Sequence, residues 1–464
     1  MAIVRLDWNS SIHADEPDGI PKAVRLMGAI LLFGDGDHAL GAGHHIRLAA
    51  IADALEARGL STRLACRDLP GSTHTWAWRD RPVVVLPGGM TADQAVAQAR
   101  VGYRTVVIDH YDVTCAPGCV AVVDGPGLGP AHEAALVICP RPGALAAEVP
   151  GVPSLAGASY LPLRPAFAVR RGPSKDGPIM VAVGATDPGG LRARIMDVLQ
   201  RPVMVLPGGE DADAVAERIA SCSCAVVSAS TIAVECLAIG VPVVAVISAP
   251  NQERLAAGLA GLGVPVLPID GIANLPALLG QALAPVGLDG GGAGRIAERI
   301  VELERWPSRS CLRWATWDDA DLLHSWANDA DSRAASFSSS EISHQSHLSW
   351  LARTLSDPAI RIWIGESAGR PAGTVRLNRE RGIATVSIAV AAEARGCGMG
   401  RQLLGDLMAW TAATGFAQRL IAWVKDGNQA SQRLFAGSGW QVAERGSIAG
   451  SAATRYEFVL EPRS

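Results

Sequence analysis

The stretch GIATVSIAVAAEARGCGMGRQLLGDLMAWTAATG, residues Gly382 to Gly415, runs from an apolar strand pattern through a glycine-bearing loop into a helix pattern. The loop carries Arg395, Gly396, Gly398 and Gly400. Glycines there let backbone N–H groups approach a pyrophosphate, and the N-terminus of the helix that follows favours negative charge. A second strand pattern, RLIAWVK (Arg419–Lys425), comes next, and then Asn428 ahead of LFAGSGW (Leu434–Trp440).

In this order the motifs resemble the GNAT family of acetyl-CoA-dependent N-acetyltransferases, which have an α+β fold. The resemblance implies acetyl-CoA as donor. Ile388 and Val390 then lie beside the pantetheine arm, the amides from Arg395 to Arg401 hold the pyrophosphate, and Asn428 helps position the cofactor. Each residue also admits a plainer role: Ile388 and Val390 as core, Gly398 and Gly400 as a turn, Asn428 as a helix cap. Many members carry a tyrosine in the last helix that reprotonates the departing thiolate. That position is Phe435 here, and Tyr456 is the only tyrosine of this part of the chain. Catalysis is therefore expected to rest on positioning the amine, with water moving protons. Upstream, LLHSWANDADSRAASFSSSEISHQSHLSWLARTLSDP is similar to members that acetylate amino sugars on nucleotides, through Trp326, Asn328, Arg333, His347 and Trp350. That likeness implies a diphosphate on Arg333 and a proton-accepting His347. The plain alternative is core tryptophans, a solvated Arg333 and a surface histidine.

The first part of the chain has another texture. LMGAILLF, PVVVLPGG, RTVVIDHY, CVAVVDG, ALVICP, PIMVAVG, PVMVLPGG, CAVVSAS and VPVVAVIS are short apolar runs, mostly rich in β-branched residues and bounded by Gly, Pro or Asp. Such continuous runs read as buried parallel strands. Between them lie helix patterns such as HIRLAAIADALEARG, which stops at Gly59. The alternation predicts an α/β fold with helices on both faces of the sheets. The echo of PVVVLPGG in PVMVLPGG fits two Rossmann-like halves, and equally the convergence of buried strands. Nine of the twelve tryptophans fall from Trp306 onward, which argues for a separate core there. The expected divisions are residues 26–165, 166–304 and 311–464.

GAGHHIRLAA (Gly41–Ala50), VVIDHYDV, GASYLPLRPAF, VAVGATDPGGL, VSASTIAVECLAIGVPVVAVISAPNQE and LDGGGAGRI follow one another in the first region. Together they resemble the nucleotide-sugar hydrolases of the pseudaminic acid pathway, which have the two-lobed glycosyltransferase-B architecture. The resemblance makes His44 the general base, with Gly41, Gly43 and Arg47 matching the same motif and Asp35 orienting sugar hydroxyls or the histidine. A histidine at a helix N-terminus has its cationic form disfavoured, which suits a base. His45 falls on an unspecified motif position and reads as an ordinary helix-start residue. The resemblance also implies a UDP-binding second lobe. There Ser230 and Thr231 receive the diphosphate at a helix start, Glu235 takes ribose hydroxyls, and Asn251 and Gln252 face the sugar. The sequence departs from the family pattern at Phe33, Val234, the GATDP stretch and Gly125.

Bulk properties agree with this class. Of 464 residues, 49% are hydrophobic and 19% charged, enough apolar material for sizeable cores. A net charge of -4 without a basic block argues against a nucleic-acid partner. The close pairs Cys115/Cys119 and Cys222/Cys224 lack the second ligand pair of a zinc site, so no metal is expected. No secretory signal and no uninterrupted span of roughly 18–20 apolar residues is present, so a cytoplasmic protein without a membrane partner is expected. The combined expectation is a UDP-amino-sugar enzyme with two activities. The GNAT part acetylates a 4-amino group, and the first region then hydrolyses a UDP-linked diacetamido-trideoxy-altrose. A UDP-sugar-dependent glycosyltransferase joined to an acetyltransferase of other specificity is the alternative, and a non-catalytic nucleotide-sugar-binding domain is a third reading.

Overall fold

The computed structural model describes residues 29–37, 41–78, 81–115, 118–123, 133–149, 151–169, 171–183, 190–206, 211–282, 288–305 and 310–460. Asp124, Gly125, the GATDP stretch and most of the expected 305–310 boundary lie outside them. The chain forms two compact units, residues 1–145 with 155–300, and residues 146–154 with 301–464.

The first unit holds two sheets. β1 (Ala29–Phe33), β2 (Ser61–Arg67), β3 (Val83–Leu86), β4 (Val106–Asp109), β5 (Cys119–Val122), β6 (Leu136–Cys139) and β7 (Ser154–Ala156) lie in the order β3-β2-β1-β4-β5-β6-β7. From β3 through β6 the pairing is parallel. This contains the Rossmann order, and its strand order reverses between β1 and β4. Helix α1 (Gly43–Glu56) follows β1, and α2 (Ala92–Ala99) follows β3. The latter starts at a capping box in which Thr91 accepts from the Gln94 amide and Gln94 reaches back to the Thr91 amide.

The second sheet comprises β8 (Ile179–Ala182), β9 (Val203–Val205), β10 (Cys224–Ser228), β11 (Val243–Ile247) and β12 (Val266–Pro268), in the order β12-β11-β10-β8-β9. Counted from β8 this is the 2-1-3-4-5 order of the other common doubly wound sheet, with its reversal between β8 and β10. The helices α3 (Leu191–Leu199), α4 (Ala212–Ala220), α5 (Thr231–Ile239) and α6 (Glu253–Gly261) cover it. Alternate strand residues explain the unbroken apolar runs. Met180, Ala225, Val227, Val243 and Ala245 join a core with α4, α5 and α6. Val181, Val226, Val244 and Val246 join another core with Leu191, Ile195 and Leu199 of α3. Both faces are covered, so neither can be polar.

All nine expected strands form. The echoing runs PVVVLPGG and PVMVLPGG contribute β3 and β9, both edge strands, but the third strand of one sheet and the second of the other. Three strands were not read from the sequence: β2, whose run STRLACR carries two arginines, and the three-residue β7 and β12. Gly292 opens a helix where a Cβ would stand 2.0 Å from the Leu161 carbonyl oxygen, so only glycine fits there.

The second unit is a sheet of β13 (Leu312–Trp314), β14 (Ile360–Ser367), β15 (Arg370–Glu380), β16 (Ile383–Val390), β17 (Arg419–Lys425), β18 (Gln441–Ile448) and β19 (Ser451–Val459), in the order β13-β14-β15-β16-β17-β19-β18. Its helices are α7 (Ala320–Asn328), α8 (Ala330–Ala335), α9 (His344–Ser356), α10 (Met399–Thr414) and α11 (Gln429–Gly437). One face packs on α10 through Val375, Leu377, Ala384, Val386, Leu403, Leu407 and Trp410. The other packs on α7 and α9 through Leu323, Leu351, Ile362 and Ile364. Trp363 stacks on Trp314 at 4.9 Å and meets Trp410 edge-on at 4.6 Å, so the tryptophan-rich texture is the core of this unit.

Candidate functional site

In the first unit the carboxyl ends of β1, β2 and β4 bring together charged groups far apart in sequence. His44 is buried at the start of α1, and its Nδ1 lies 2.8 Å from the Asp35 carbonyl oxygen. A carbonyl only accepts, so Nδ1 carries the proton and Nε2 is the basic nitrogen. Nε2 has no hydrogen-bond partner and lies 3.8 Å from Asp109 Oδ1. Burial pushes the His44 pKa below the usual imidazole value, against the opposing pull of Asp109. Asp109 is itself gripped by Arg47, whose Nε and Nη2 each donate at 2.8 Å. Arg47 thus spends its fork on Asp109.

The expectation for Asp35 needs correction. Its carboxylate does not orient His44; the backbone carbonyl does. The carboxylate accepts from the Arg67 amide at 2.8 Å and from Arg67 Nε at 2.7 Å, with His110 Nε2 at 3.1 Å. Burial opposes its ionisation, but these bonds outweigh it and hold the pKa at about 2. Asp109 and His110 belong to the quoted VVIDHYDV motif, where neither was assigned a role of its own, and Arg67 was not singled out from sequence. The adjacent His45 bonds through both ring nitrogens, to Thr73 Oγ1 and the Gly34 carbonyl oxygen, and is structural.

The second sheet presents α5 at its own strand-order reversal. Ser230 precedes α5 without making a side-chain cap, so the ordinary N-cap role is not met. Gly43 and Thr231 meet: a Cβ on Gly43 would lie 3.7 Å from Thr231 Oγ1. The N-termini of α1 and α5 therefore converge. Glu235 is buried and pairs with Arg164 Nη2 at 2.9 Å, instead of presenting an open carboxylate. Burial raises its pKa, and Arg164 offsets part of that rise. Gln252 Oε1 accepts from the Ser248 amide at 2.8 Å, whereas Asn251 is exposed. Among the described residues no cluster of His, Cys, Asp or Glu is placed to hold a metal ion. No helix of the described residues is long and apolar enough to cross a membrane.

In the second unit the decisive feature is a split in the sheet. The parallel pair β16–β17 is joined only at Ile383↔Arg419, Ala384↔Leu420 and Thr385↔Ile421. Beyond Thr385, β16 keeps its partner β15 and β17 keeps β19, so the two strands part between them. Ile388 and Val390 lie on the parted stretch of β16, half-buried against the α10 core. The exposed loop after β16 leads into α10, with Gly396 at φ +75° and Gly398 at φ +83° immediately before the helix. These are left-handed conformations that favour glycine. Gly400 sits in the first turn, where a Cβ would meet Leu434 at 3.4 Å and Val390 at 3.6 Å. Arg401 is exposed beside it. An open strand edge thus leads to a helix N-terminus through a glycine-bearing loop. The acetyltransferase (GNAT) family profile matches residues 321–440.

This stretch is a GNAT acetyltransferase domain. Solved structures similar to it include the yncA protein of Salmonella typhimurium with its cofactor acetyl-CoA, at 23% identity over 34% of this chain and 97% of its own, TM-score 0.29. An N-acetyltransferase of Staphylococcus aureus Mu50 is 24% identical over 33% of this chain and 100% of its own, TM-score 0.30. The ribosomal-protein-alanine N-acetyltransferase of Brucella melitensis is 26% identical over 32% of this chain and 99% of its own, TM-score 0.28. A search of curated proteins gave no match.

Several side chains of the GNAT domain are already committed. Arg395 donates to Asp331 Oδ2 at 2.7 Å and to Asp329, tying the loop to the start of α8. Asn428 caps α11, its Oδ1 accepting from the Ser431 amide at 3.0 Å. Arg333 does not offer its guanidinium to a diphosphate: it donates to the carbonyls of Ala327 at 2.5 Å, Ser338 at 3.1 Å and Ser340 at 3.2 Å. His347 is buried on α9, not on a helix surface, with Nε2 unpartnered and its ring 5.2 Å from that of Trp350. Burial, then the neighbouring His324, lowers its pKa, so it is neutral at pH 7. Phe435 is buried, with the Tyr456 ring stacked on it at 5.8 Å.

Proposed function

We propose that the chain is a two-activity nucleotide-sugar enzyme. Its GNAT domain takes the acetyl group from acetyl-CoA and transfers it to the 4-amino group of a UDP-amino sugar. The split between β16 and β17 beside the glycine loop of α10 carries this half of the reading. Ile388 and Val390 flank the pantetheine arm. The amides from Arg395 to Arg401, through Gly396, Gly398 and Gly400, meet the pyrophosphate at the helix N-terminus. The amine nitrogen attacks the thioester carbon, a C–N bond forms, the C–S bond breaks, and the amine proton leaves through His347 or water.

For the first unit we propose hydrolysis of the UDP-2,4-diacetamido-2,4,6-trideoxy-altrose so formed. What supports it is His44 beside the converging N-termini of α1 and α5. Those two helix ends suit a diphosphate, with Gly43, Ser230 and Thr231 closest to it. His44 Nε2 takes the proton of a water that attacks the anomeric carbon, and the C–O bond to UDP breaks. Arg47 acts through Asp109, Arg164 holds Glu235 beside the ribose, and Asn251 with Gln252 borders the sugar. The test is UDP release without any acceptor, by wild type and His44→Ala. Turnover by the wild type and its loss in the variant support hydrolysis; a strict need for a sugar acceptor points to a glycosyltransferase.

A further inference from the structure

Arg376 differs from several arginines of the second unit in the company it keeps. Arg313, Arg361, Arg395 and Arg455 each hold a carboxylate. Arg376 is half-buried on β15, and among the described residues it has no carboxylate partner. Its contacts are the Ser387 hydroxyl at 3.3 Å and the face of the Trp350 ring at 5.4 Å. A guanidinium cannot shed its charge by losing a proton, and withdrawing even part of a cation from water is costly unless an anion meets it. Burial does depress its pKa, the direction expected of an uncompensated charge.

Its position gives that charge a use. Arg376 pairs across the sheet with Ile362 on one side and Ser387 on the other. Ile362 belongs to the core under α7 and α9, so Arg376 lies on the sheet face opposite α10. Ser387 stands two residues past Thr385, where β16 and β17 part. Trp350, which covers Arg376, also touches His347. Arg376 is thus one strand away from the split, on the face from which an acceptor meets a thioester threaded between the strands. Arg333, the arginine that sequence favoured for anion binding, is used up by its own loop.

We propose that Arg376 is the anion receptor of the acceptor subsite, so that the amine acetylated by this domain carries a phosphate or carboxylate roughly 5–10 Å, one to two strand spacings, from its nitrogen. This rests on the acetyltransferase reading and narrows its substrate class. A charge-assisted hydrogen bond contributes enough for about a 10- to 100-fold preference.

The full chain is assayed with acetyl-CoA and four amines: a UDP-4-amino sugar, glucosamine 6-phosphate, 6-aminohexanoate and glucosamine. The first two test a phosphate, the third a carboxylate, and the last is neutral. The wild type is expected to prefer at least one anionic amine over glucosamine by about 30-fold in kcat/KM. Arg376→Met should bring that ratio within about threefold while leaving the KM for acetyl-CoA unchanged, and Arg376→Lys should restore part of it. Arg376→Met should unfold no earlier than wild type, because it removes a half-buried charge that no carboxylate meets. Equal use of neutral and anionic amines, an unchanged ratio in Arg376→Met, or acetyl-CoA binding without acetylation of any anionic amine overturns the proposal. Failure of the wild type to bind acetyl-CoA in calorimetry overturns the acetyltransferase reading instead.

Discussion

The Nδ1 of His44 donates to the backbone carbonyl of Asp35 across 2.8 Å, and this bond fixes which nitrogen of the ring is basic. Because burial lowers the His44 pKa, the neutral form persists below the ordinary imidazole range. UDP release should therefore stay flat as pH falls through 6.5 and decline only at lower pH. His44→Ala should reduce it by about 100- to 10,000-fold, the usual contribution of a positioned base. A pH–rate profile of kcat/KM checks both, and a decline already centred at pH 6.5 or above contradicts the buried-base assignment.

His45 predicts a stability effect at the same place. Its pKa is depressed by burial to about 4 from 6.5, so the unfolded chain binds a proton that the folded one refuses. The stability is fully present above pH 6.5 and is lost as pH falls toward 4. By pH 5 the loss is roughly 2 kcal/mol. Urea unfolding at pH 7 and pH 5 measures it, and His45→Gln should flatten the slope, leaving the part due to His44. Asp35, with a pKa of about 2 against 3.8, adds its own loss only below that window.

Asn428 offers a separation of roles. Its side chain caps α11, so Asn428→Ala should cost about 1 kcal/mol of stability in the second unit. Asn428→Ser, which keeps a capping oxygen, should recover most of that. If capping is its main task, the KM for acetyl-CoA moves less than threefold in both. A large KM rise in the serine variant, with stability kept, would mark a direct contact with the donor.

Gly398 stands at φ +83° immediately before α10. Gly398→Val should cost about 1–2 kcal/mol through backbone strain and also block the approach of a pyrophosphate to the loop amides. Calorimetry should show acetyl-CoA affinity falling more than tenfold while the domain still unfolds cooperatively.

The strands were legible where burial on both faces forced continuous apolar runs, as in VVID and CAVVS. They were hidden where polar residues entered, as in β2, or where only three residues pair, as in β7 and β12. His44 was legible as the head of a helix after a strand. Its surroundings were not: Arg67 and His110 reach Asp35 from 32 and 75 positions away, and only the sheet order brings them there. The glycine loop of α10 could be read locally, since its amides and helix are contiguous. The split beside it is a property of pairing registers, which periodicity does not encode. Arg333 and Arg376 show the same limit. Nothing in their local sequence tells them apart, and only the contacts separate the one clamped by carbonyls from the one left without an anion.

The most direct test of the account is mass spectrometry of the products when the full chain receives a UDP-4-amino sugar with and without acetyl-CoA. With acetyl-CoA, the account predicts a mass gain of one acetyl group followed by release of UDP and a free diacetamido sugar. Without it, the UDP-amino sugar should remain largely intact. An acetylated product that keeps its UDP indefinitely, or UDP released with no acetyl group ever transferred, would contradict the pairing of the two activities on this chain.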